Sequence, residues 1–432
     1  MTVRRRIRIR WWIFAFTFAF AMLSFIQRTS ISVAGESIVA ALHITQVQIG
    51  LLNAAFLTTY TLAQIPAGAL GGRFGARRMY IAVGAAGLCA TLATPLLPLV
   101  FDGSGVFLAL LTTQCVLGIS QAPVFPLCAA VIEAWFPAHR WALANGLQTS
   151  GMLFGGAVTP PLLVGLTQWV GWRAALLSIA LPVAVFFAAW AWYGRDSPRE
   201  HPKVTAEELA ELPPKVGATS PMTVRRLGAI LTDRNILVLS LYYLCMNYAF
   251  YLLTFWSFLY LVEVRHFSGF ASGIAGMLPW IGAAIGAAAG GVLSDRAAER
   301  FGFGWGYRLV PLVSLPMAAL LLLGTVSAET PWTAVLSLGL AFACIEVNEG
   351  AYWAAVMQVA RSDTAAAAGV LNTGGNAGGV LCQPVVALLS GSGGWDVAFA
   401  TGAVMAMIAA VLWLFVRAEA VPACAAVPEG LV

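Results

Sequence analysis

The chain alternates between long apolar stretches and short polar breaks. About 20 consecutive apolar residues suffice for one helix to cross a bilayer, and stretches of that length follow one another along nearly the whole sequence. We therefore predict an all-α membrane protein with twelve transmembrane helices. The predicted helices, each bounded to within a few residues, cover residues 11–36, 47–72, 78–100, 104–131, 141–168, 172–193, 236–262, 270–294, 308–327, 331–360, 364–390 and 395–416.

The one long polar segment lies in the middle of the chain and separates six predicted helices from the other six. Within it, Thr205 and Glu208 have the spacing of a capping box, in which each side chain binds the other's free backbone amide, and predict a short helix. We predict three parts: a six-helix bundle in residues 1–193, a cytoplasmic linker in residues 194–235, and a second six-helix bundle in residues 236–432.

An internal repeat supports this division. Leu147-Gln-Thr-Ser-Gly151 matches Leu371-Asn-Thr-Gly-Gly375, and a glycine and a proline follow each segment at the same distances. Close helix packing accounts for most of these glycines. Gln148 and Asn372 differ, since an amide in hydrocarbon needs a hydrogen-bond partner. We predict that both amides line a cavity between the bundles.

Composition and charge place the chain in a membrane. Hydrophobic residues make up 60% of the chain and charged residues only 10%, whereas soluble domains carry about 25% charged residues. With loops assigned alternately to the two sides, all but three of the 24 Lys and Arg residues fall on one side, the exceptions being Arg28, Arg173 and Arg265. Basic loops stay cytoplasmic, so we predict a multi-pass protein of the cytoplasmic (inner) membrane with both termini in the cytoplasm. The net charge of +5 then reflects topology, and nucleic acid is not an expected partner.

Several kinds of chemistry have no motif in the sequence. The seven cysteines form no C-x-x-C pair, and the four histidines fall in loops or at helix ends, so no metal site is predicted. The sequence G-x-x-x-x-G-K is absent, so ATP is not the expected energy source and no cofactor is expected. His-rich, Ser-Lys and paired-Asp motifs are absent from the apolar stretches, so we do not expect an enzyme.

A loop rich in glycine and arginine follows the second predicted helix. Its sequence, Gly68-Ala-Leu-Gly-Gly-Arg-Phe-Gly-Ala-Arg-Arg78, has the pattern G-x-L-x-x-R-x-G-x-R-R, and a diverged copy, Gly291-Val-Leu-Ser-Asp-Arg296, begins 223 residues after Gly68. The pair resembles the loop between helices 2 and 3 of the major facilitator superfamily of secondary transporters and its repeat in the second half. The resemblance implies two pseudo-symmetric six-helix bundles around a central cavity that opens alternately to each side.

Longer segments resemble one branch of that superfamily, the anion:cation symporters, which includes transporters of sugar acids, sialic acid and glutamate. The segments are Gln64-Ile-Pro-Ala-Gly68, Gly118-Ile-Ser-Gln-Ala-Pro-Val-Phe-Pro126, Trp135-Phe-Pro137, Gly171-Trp-Arg173 and Asp196-Ser-Pro-Arg-Glu-His-Pro202. The resemblance implies a carrier for a small organic anion or related polar metabolite. The expected partners are a small carboxylate substrate, protons and the lipid bilayer, and we expect a monomer.

The chain departs from that family where the family carries charges. Gln27 stands before Arg28 in place of an aspartate, and Gln114 and Gln121 stand where the fourth helix has an arginine and a glutamate. The first signature loop has Gly72 where aspartate is usual. The family's proton-carrying carboxylates are therefore missing from the first bundle.

Two glutamates in the tenth predicted helix retain charge inside the membrane. Glu346 falls near the middle of this helix, with Glu349 one turn later. Ionisable groups at this depth usually mark a transport pathway or an ion pair, and burial beside a like charge favours a protonated carboxyl. We predict that this pair carries the coupled proton, with Glu346 the deeper and better candidate; a structural pair with Arg28 is the alternative.

These observations define three predicted groups. The substrate-binding residues are Arg28, which would attract a carboxylate, and Gln27, Tyr60, Gln114, Gln121, Gln148, Tyr352, Trp353 and Asn372. The proton-coupling residues are Glu346 and Glu349. The gating residues are Arg73, Arg77, Arg78, Glu133, Arg140, Asp295 and Arg296.

The sequence also leaves alternatives open. A proton-driven exporter of an amphiphilic compound would suit the neutral glutamines, and a uniporter or exchanger would need no proton site. A membrane sensor that binds without transporting would suit the lost charges. The sequence names neither the substrate nor the direction of transport.

Overall fold

The computed structural model describes residues 8–212, 223–267, 269–360, 363–392 and 394–417 of the 432-residue chain. The outer ends of the two predicted bundles, residues 1–7 and 418–432, and residues 213–222 of the predicted linker lie outside the described residues. The helices of the first half are α1 (Ile9–Val33), α2 (Gly35–Leu42), α3 (Gln46–Phe74), α4 (Ala76–Leu96), α5 (Ser104–Gln121), α6 (Val124–Trp135) and α7 (Trp141–Tyr193). The helices that follow are α8 (Ala206–Ala210), α9 (Val224–Thr232), α10 (Arg234–Glu263), α11 (Gly269–Val326), α12 (Pro331–Glu346), α13 (Glu349–Ala360), α14 (Thr364–Ser392) and α15 (Trp395–Leu412).

The helices account for twelve membrane crossings. Among the described residues, eight helical stretches are long and apolar enough to span a bilayer. Two of them, residues 138–193 and 271–326, supply two crossings each, because Gly171 and Gly302 adopt left-handed backbone angles (φ 79° and 78°) that turn the chain between two helices. The 29-residue helices α3 and α14 supply the last two crossings. The predicted all-α, twelve-helix architecture is thus confirmed.

Two predicted crossings are interrupted within the membrane. The predicted helix 104–131 divides into α5 and α6 at Pro123, and the predicted helix 331–360 divides into α12 and α13 at Val347 and Asn348. Asn348 supports the second break, since its Nδ2 donates to the carbonyl oxygens of Cys344 and Ile345 at 2.9 and 3.0 Å. Interrupted helices at corresponding places in two repeats are typical of transporter binding sites.

The helices pack on one another both within each half of the chain and between the two halves. In the first half, α1 and α4 pack on α7, and α3 packs on α5; in the second, α10 packs on α14 and α11 packs on α12 and α15. Between the halves, α7 packs on α11 and α13, and α14 packs on α3 and α6. These cross-contacts enclose the space at the centre of the molecule.

The segment after α7 is fixed to one end of the first half, which we call the linker side. The predicted short helix is present as α8, and Thr205 Oγ1 accepts from the backbone N–H of Glu208 at 3.2 Å. The reciprocal bond of the predicted capping box is not formed, because the Glu208 carboxylate turns to α1. There it accepts from the backbone N–H of Ile9 and from the backbone and Nε of Arg10, at 2.9–3.1 Å.

Candidate functional site

A central cavity lies between the two halves of the chain. The cavity is small, with a volume of about 40 Å³. The lining side chains come from both halves and are Phe25, Arg28, Tyr60, Phe125, Met152, Tyr243, Asn247, Phe250, Tyr251, Glu349, Trp353, Asn372 and Asn376. The cavity is therefore mostly aromatic, with a few convergent polar groups, as small-molecule sites usually are.

Arg28 is the cation of this cavity. Its guanidinium lies over the faces of Phe25, Phe56 and Tyr60, with its carbon 5.2–5.7 Å from the ring centroids. Its Nη2 donates to the hydroxyl of Tyr251 at 3.0 Å, and within the described part of the chain it forms no ion pair. Aromatic faces and one hydroxyl leave most of the guanidinium's five donors for a ligand.

Polar side chains of the second half extend from Arg28 along one wall. The Tyr251 hydroxyl donates to Asn376 Oδ1 at 2.8 Å, and Asn376 Nδ2 donates to the backbone oxygen of Asn372 at 2.8 Å. Asn372 Nδ2 then reaches the Tyr60 hydroxyl of the first half at 3.4 Å. This chain of bonds fixes the amides that face the cavity and joins the halves at both of its ends.

Glu349 is the acid of the cavity. It begins α13, directly after the break in the crossing, and its carboxylate accepts from Thr149 Oγ1 of α7 at 2.9 Å and from Trp353 Nε1 at 3.1 Å. The Tyr352 hydroxyl donates to its other oxygen. Three donors, one of them from the opposite half, thus hold this carboxylate in place.

Glu346 occupies a different environment. It ends α12 on the other side of the break, its side chain is fully buried, and neither oxygen has a hydrogen-bond partner among the described residues. It does not line the central cavity. The sequence places the two glutamates on one helical face, whereas the turn at Val347 and Asn348 gives only Glu349 access to the cavity.

The predicted substrate-binding residues fall into two groups. The residues that the structure brings to the central cavity are Arg28, Tyr60, Trp353 and Asn372. The residues that lie outside its lining are Gln27, Gln114, Gln121, Gln148 and Tyr352. Tyr352 acts indirectly, since it lies behind the cavity wall and donates to Glu349.

Two of the glutamines bind each other inside the first half. Gln121 Nε2 lies 3.4 Å from Gln27 Oε1, and Gln27 Nε2 donates to Thr91 Oγ1 at 2.7 Å. Both line a separate small cavity between α1, α4, α5 and α7. Gln114 and Gln148 are buried, and the oxygen of each has no hydrogen-bond partner within the described residues.

Sequence reasoning missed four polar side chains of the cavity: Tyr243, Asn247, Tyr251 and Asn376. Asn247 and Asn376 could have been predicted, because each of them, like Asn372, is an amide inside an apolar stretch. Tyr251 could not have been predicted from the sequence, because tyrosines are common in these helices and only the fold brings this one to Arg28.

The predicted gating residues lie at the linker side. Asp295 Oδ1 and Oδ2 accept from the backbone N–H groups of Ala142 and Leu143, at 3.1 and 2.8 Å, at the N-terminus of α7. This acid of the second signature loop therefore links the two halves. Arg77 binds elsewhere, since its backbone N–H donates to Asp196 at 2.6 Å and its Nη2 donates to the Ala191 oxygen.

Glu133, a predicted gating residue that lies near Arg140 in the sequence, contacts the other half of the chain. The described residues hold no salt bridge between these two side chains. Instead Glu133 is hydrogen-bonded to Thr364 at the start of α14, across the two halves. The remaining predicted gating residues, Arg73, Arg78, Arg140 and Arg296, are exposed.

Close backbone packing seals the linker side between the halves. A Cβ at Gly146 of α7 would lie 2.4 Å from the Ala287 oxygen of α11, and a Cβ at Gly68 of α3 would lie 2.4 Å from the Ala365 oxygen of α14. Only glycine permits these contacts. The described conformation is therefore closed at the linker side.

A larger crevice of about 630 Å³ lies between α7 and α11. Its lining is almost entirely apolar and includes Phe154, Pro161, Trp280 and Ile285. Phe154 and Ile285 are exposed, so the crevice faces outward, where lipid would surround the protein. It offers no charged group to a polar metabolite.

The sequence pattern of the Major Facilitator Superfamily matches residues 17–364. The chain belongs to the Major Facilitator Superfamily. Among solved structures of superfamily members, the proton:xylose symporter XylE has a TM-score of 0.75 at 14% identity, covering 95% of this chain and 97% of XylE. FucP in the outward conformation has a TM-score of 0.69 at 15% identity, covering 94% and 98%. These likenesses confirm the fold.

Curated relatives extend over almost the whole chain. One, named "Probable sulfoacetate transporter SauU", from Cupriavidus necator, is 28% identical over 96% of this chain and 95% of its own. Another, from Escherichia coli, is named "Probable galactarate/D-glucarate transporter GudP" and is 25% identical over 96% and 94%. These relatives agree with the resemblance to superfamily carriers of sugar acids and organic anions.

Proposed function

We propose that this protein is a secondary active transporter that moves a small organic anion across the cytoplasmic membrane by alternating access, without a chemical step. The observation that carries the proposal is Arg28, a guanidinium without an ion-pair partner in the described structure, in a cavity between the two halves. An unpaired charge at membrane depth is costly unless a ligand pairs with it. The relatives named as transporters of sulfoacetate and of galactarate and glucarate support an organic acid.

In this proposal the substrate carboxylate binds Arg28, and neighbouring groups bind the remainder of the molecule. Arg28 presents parallel donors that match the two oxygens of a carboxylate. Asn372 and Tyr60 supply hydrogen bonds from opposite halves, and Trp353 supplies an apolar surface. A substrate that contacts both halves favours their closure around it.

Alternating access requires the halves to move as units. We propose that residues 1–193 and 236–432 are the two bundles, joined by residues 194–235, and that the linker side faces the cytoplasm. The bonds from Asp295 to α7 and from Glu133 to Thr364 would then form the cytoplasmic gate and break when it opens. We propose that a single chain is sufficient.

For energy coupling, the carboxyl groups of α12 and α13 are the candidates. Glu349 meets the cavity, and Glu346 lies behind it with no donor to stabilise a negative charge. A buried carboxylate without a hydrogen-bond donor is unfavourable, so we propose that Glu346 is protonated in this conformation. A proton moving between cavity and cytoplasm would use this pair, because glutamines replace the acids of the first half.

A second candidate function is export of an amphiphilic compound, which the apolar crevice between α7 and α11 favours. An amphiphile would enter from the lipid through this crevice, whereas a polar acid would reach the central cavity from water. Binding of an amphiphilic compound that Trp280→Ala weakens and Arg28→Ala leaves unchanged would favour this second function.

A ligand screen on the purified protein tests the proposed function. Sugar acids, aromatic acids, dicarboxylates and their neutral amides are compared by thermal shift, because a ligand that binds the native state raises the melting temperature. We expect at least one acid, and not its amide, to stabilise the wild type. Arg28→Ala should lose that shift and Arg28→Lys should retain part of it. An equal shift in Arg28→Ala would contradict the assignment of Arg28.

A further inference from the structure

The charges around the central cavity restrict the charge of its ligand. Among the lining residues, Arg28 is the one cation and Glu349 the one acid; the other polar groups are the neutral amides and hydroxyls of tyrosines and asparagines. Binding an acid there, as the proposed function requires, places each anionic group of the ligand against this small set of charges.

A second carboxylate is disfavoured in either protonation state of Glu349, and more strongly when Glu349 is ionised. With Glu349 protonated, one carboxylate neutralises Arg28, and a second carboxylate has no cation. With Glu349 ionised, Arg28 is already balanced, and each carboxylate adds negative charge. A dicarboxylate therefore always brings one more unpaired charge into a site of low dielectric, where such a charge is strongly disfavoured. An ionised Glu349 adds repulsion between like charges to that cost.

Glu349 cannot easily withdraw from a second carboxylate. Its oxygens are held by Thr149, Trp353 and Tyr352, and the residue is 5% exposed. Moving its carboxylate away would break a bond to α7 as well as bonds within α13. The acid is thus a fixed feature of the cavity wall.

We propose that this transporter selects monocarboxylates, because Arg28 is the one lining cation, and that Glu349 strengthens the rejection of dicarboxylates. The inference rests on the proposed function and makes it more specific. Rejection by a fixed like charge is a recognised way to obtain specificity when attractive contacts are shared by both ligands. The uncharged remainder of the ligand then lies along the aromatic and amide wall.

The test uses acids that differ by one carboxylate. Dissociation constants for gluconate and glucarate, and for benzoate and terephthalate, are measured by calorimetry on the purified full-length protein. In the wild type, the monocarboxylate of at least one pair should bind at least tenfold more tightly than its dicarboxylate. A dicarboxylate that binds equally or more tightly in both pairs would overturn the inference while leaving the proposed function intact.

The role of Glu349 is tested by Glu349→Gln, which keeps the size of the side chain and an acceptor oxygen but removes the charge. The preference for the monocarboxylate should fall at least fivefold. Glu263→Gln, which removes the same charge from the exposed end of α10, should leave it within twofold of the wild type. An unchanged preference in Glu349→Gln would overturn the assignment. If none of these four acids, nor any acid of the wider screen, binds the wild type, the proposed function itself fails.

Discussion

Arg28 of the first half and Tyr251 of the second are joined by a hydrogen bond of 3.0 Å from Nη2 to the phenol oxygen, across the central cavity. The Tyr251 hydroxyl also donates to Asn376 at 2.8 Å. The proposed anion-binding residue is thus tied to the opposite half even without a ligand. A carboxylate that binds Arg28 must either share this bond or replace it.

Tyr251→Phe tests this bond, because it removes one hydroxyl and keeps the ring. Losing a hydrogen bond to a charged group typically costs about 1.5–3 kcal/mol. We therefore expect the central cavity to open more readily, seen as faster labelling of a cysteine placed at Met152, a cavity-lining residue outside this chain of bonds, in a background without native cysteines. Tyr248→Phe, which removes a hydroxyl bonded to Thr401 instead, is the matched control. Equal labelling rates in the Tyr251→Phe and Tyr248→Phe backgrounds would contradict the proposed role of Tyr251.

Asp295 should control opening at the linker side more strongly than its counterpart Gly72. Asp295→Asn weakens two bonds to the N-terminus of α7, where a negative charge is favourable by about 0.3–1 kcal/mol. We expect greater accessibility of cysteine probes placed at the linker side. A Cβ at Gly72 meets no atom within 4 Å, so Gly72→Asp should fold normally. Identical probe accessibility in wild type and Asp295→Asn would refute the gating role.

The attachment of α8 to α1 should contribute substantially to stability. Arg10 and Glu208 are almost fully buried, with side chains 5% and 4% exposed and Nε to Oε1 at 3.1 Å. Removing one partner of a buried ion pair typically costs about 3–5 kcal/mol. Arg10→Met should therefore lower the melting temperature clearly. Arg226→Met, at the more exposed pair with Asp363, should lower it much less. Equal decreases in melting temperature for Arg10→Met and Arg226→Met would show that burial of the Arg10–Glu208 pair does not determine its contribution to stability.

Coupling to protons is tested by neutralising the two glutamates separately. If Glu349 and Glu346 carry the proton, either Glu→Gln change should abolish uptake driven by a pH gradient. Exchange of labelled for unlabelled substrate should persist in Glu346→Gln, because exchange moves no net proton. Full gradient-driven uptake in both variants would mean that the protein is a uniporter or exchanger.

The architecture was predictable because the membrane enforces a simple pattern. Lipid offers no hydrogen bonds to backbone polar groups, so each crossing must be a helix that pairs these groups internally. Segment length, hydropathy and the positions of basic loops therefore predicted the crossings closely. The breaks at Pro123 and Asn348 were harder to predict. Pro123 gave a local signal, whereas Asn348 acts through carbonyl oxygens that become available only once the helix has turned.

The candidate site was predictable only in part. Arg28, Tyr60, Trp353 and Asn372 reach the cavity as predicted, because unusual polar or aromatic residues in a span often face the interior. Gln27 and Gln121 followed the same rule but bind each other within one half. A single sequence does not distinguish an amide that faces a cavity from one that finds a partner inside a bundle, since that depends on helix rotation.

The central claim is that the protein carries an organic anion across the membrane by way of Arg28, and counterflow in proteoliposomes tests it most directly. Vesicles containing wild-type protein are loaded with an unlabelled acid identified in the ligand screen, and entry of the labelled acid is followed without any ion gradient. We predict rapid, transient accumulation of label with the wild type and none above empty vesicles with Arg28→Ala. Binding of the acid without exchange by the wild type, or undiminished exchange by Arg28→Ala, would contradict this claim.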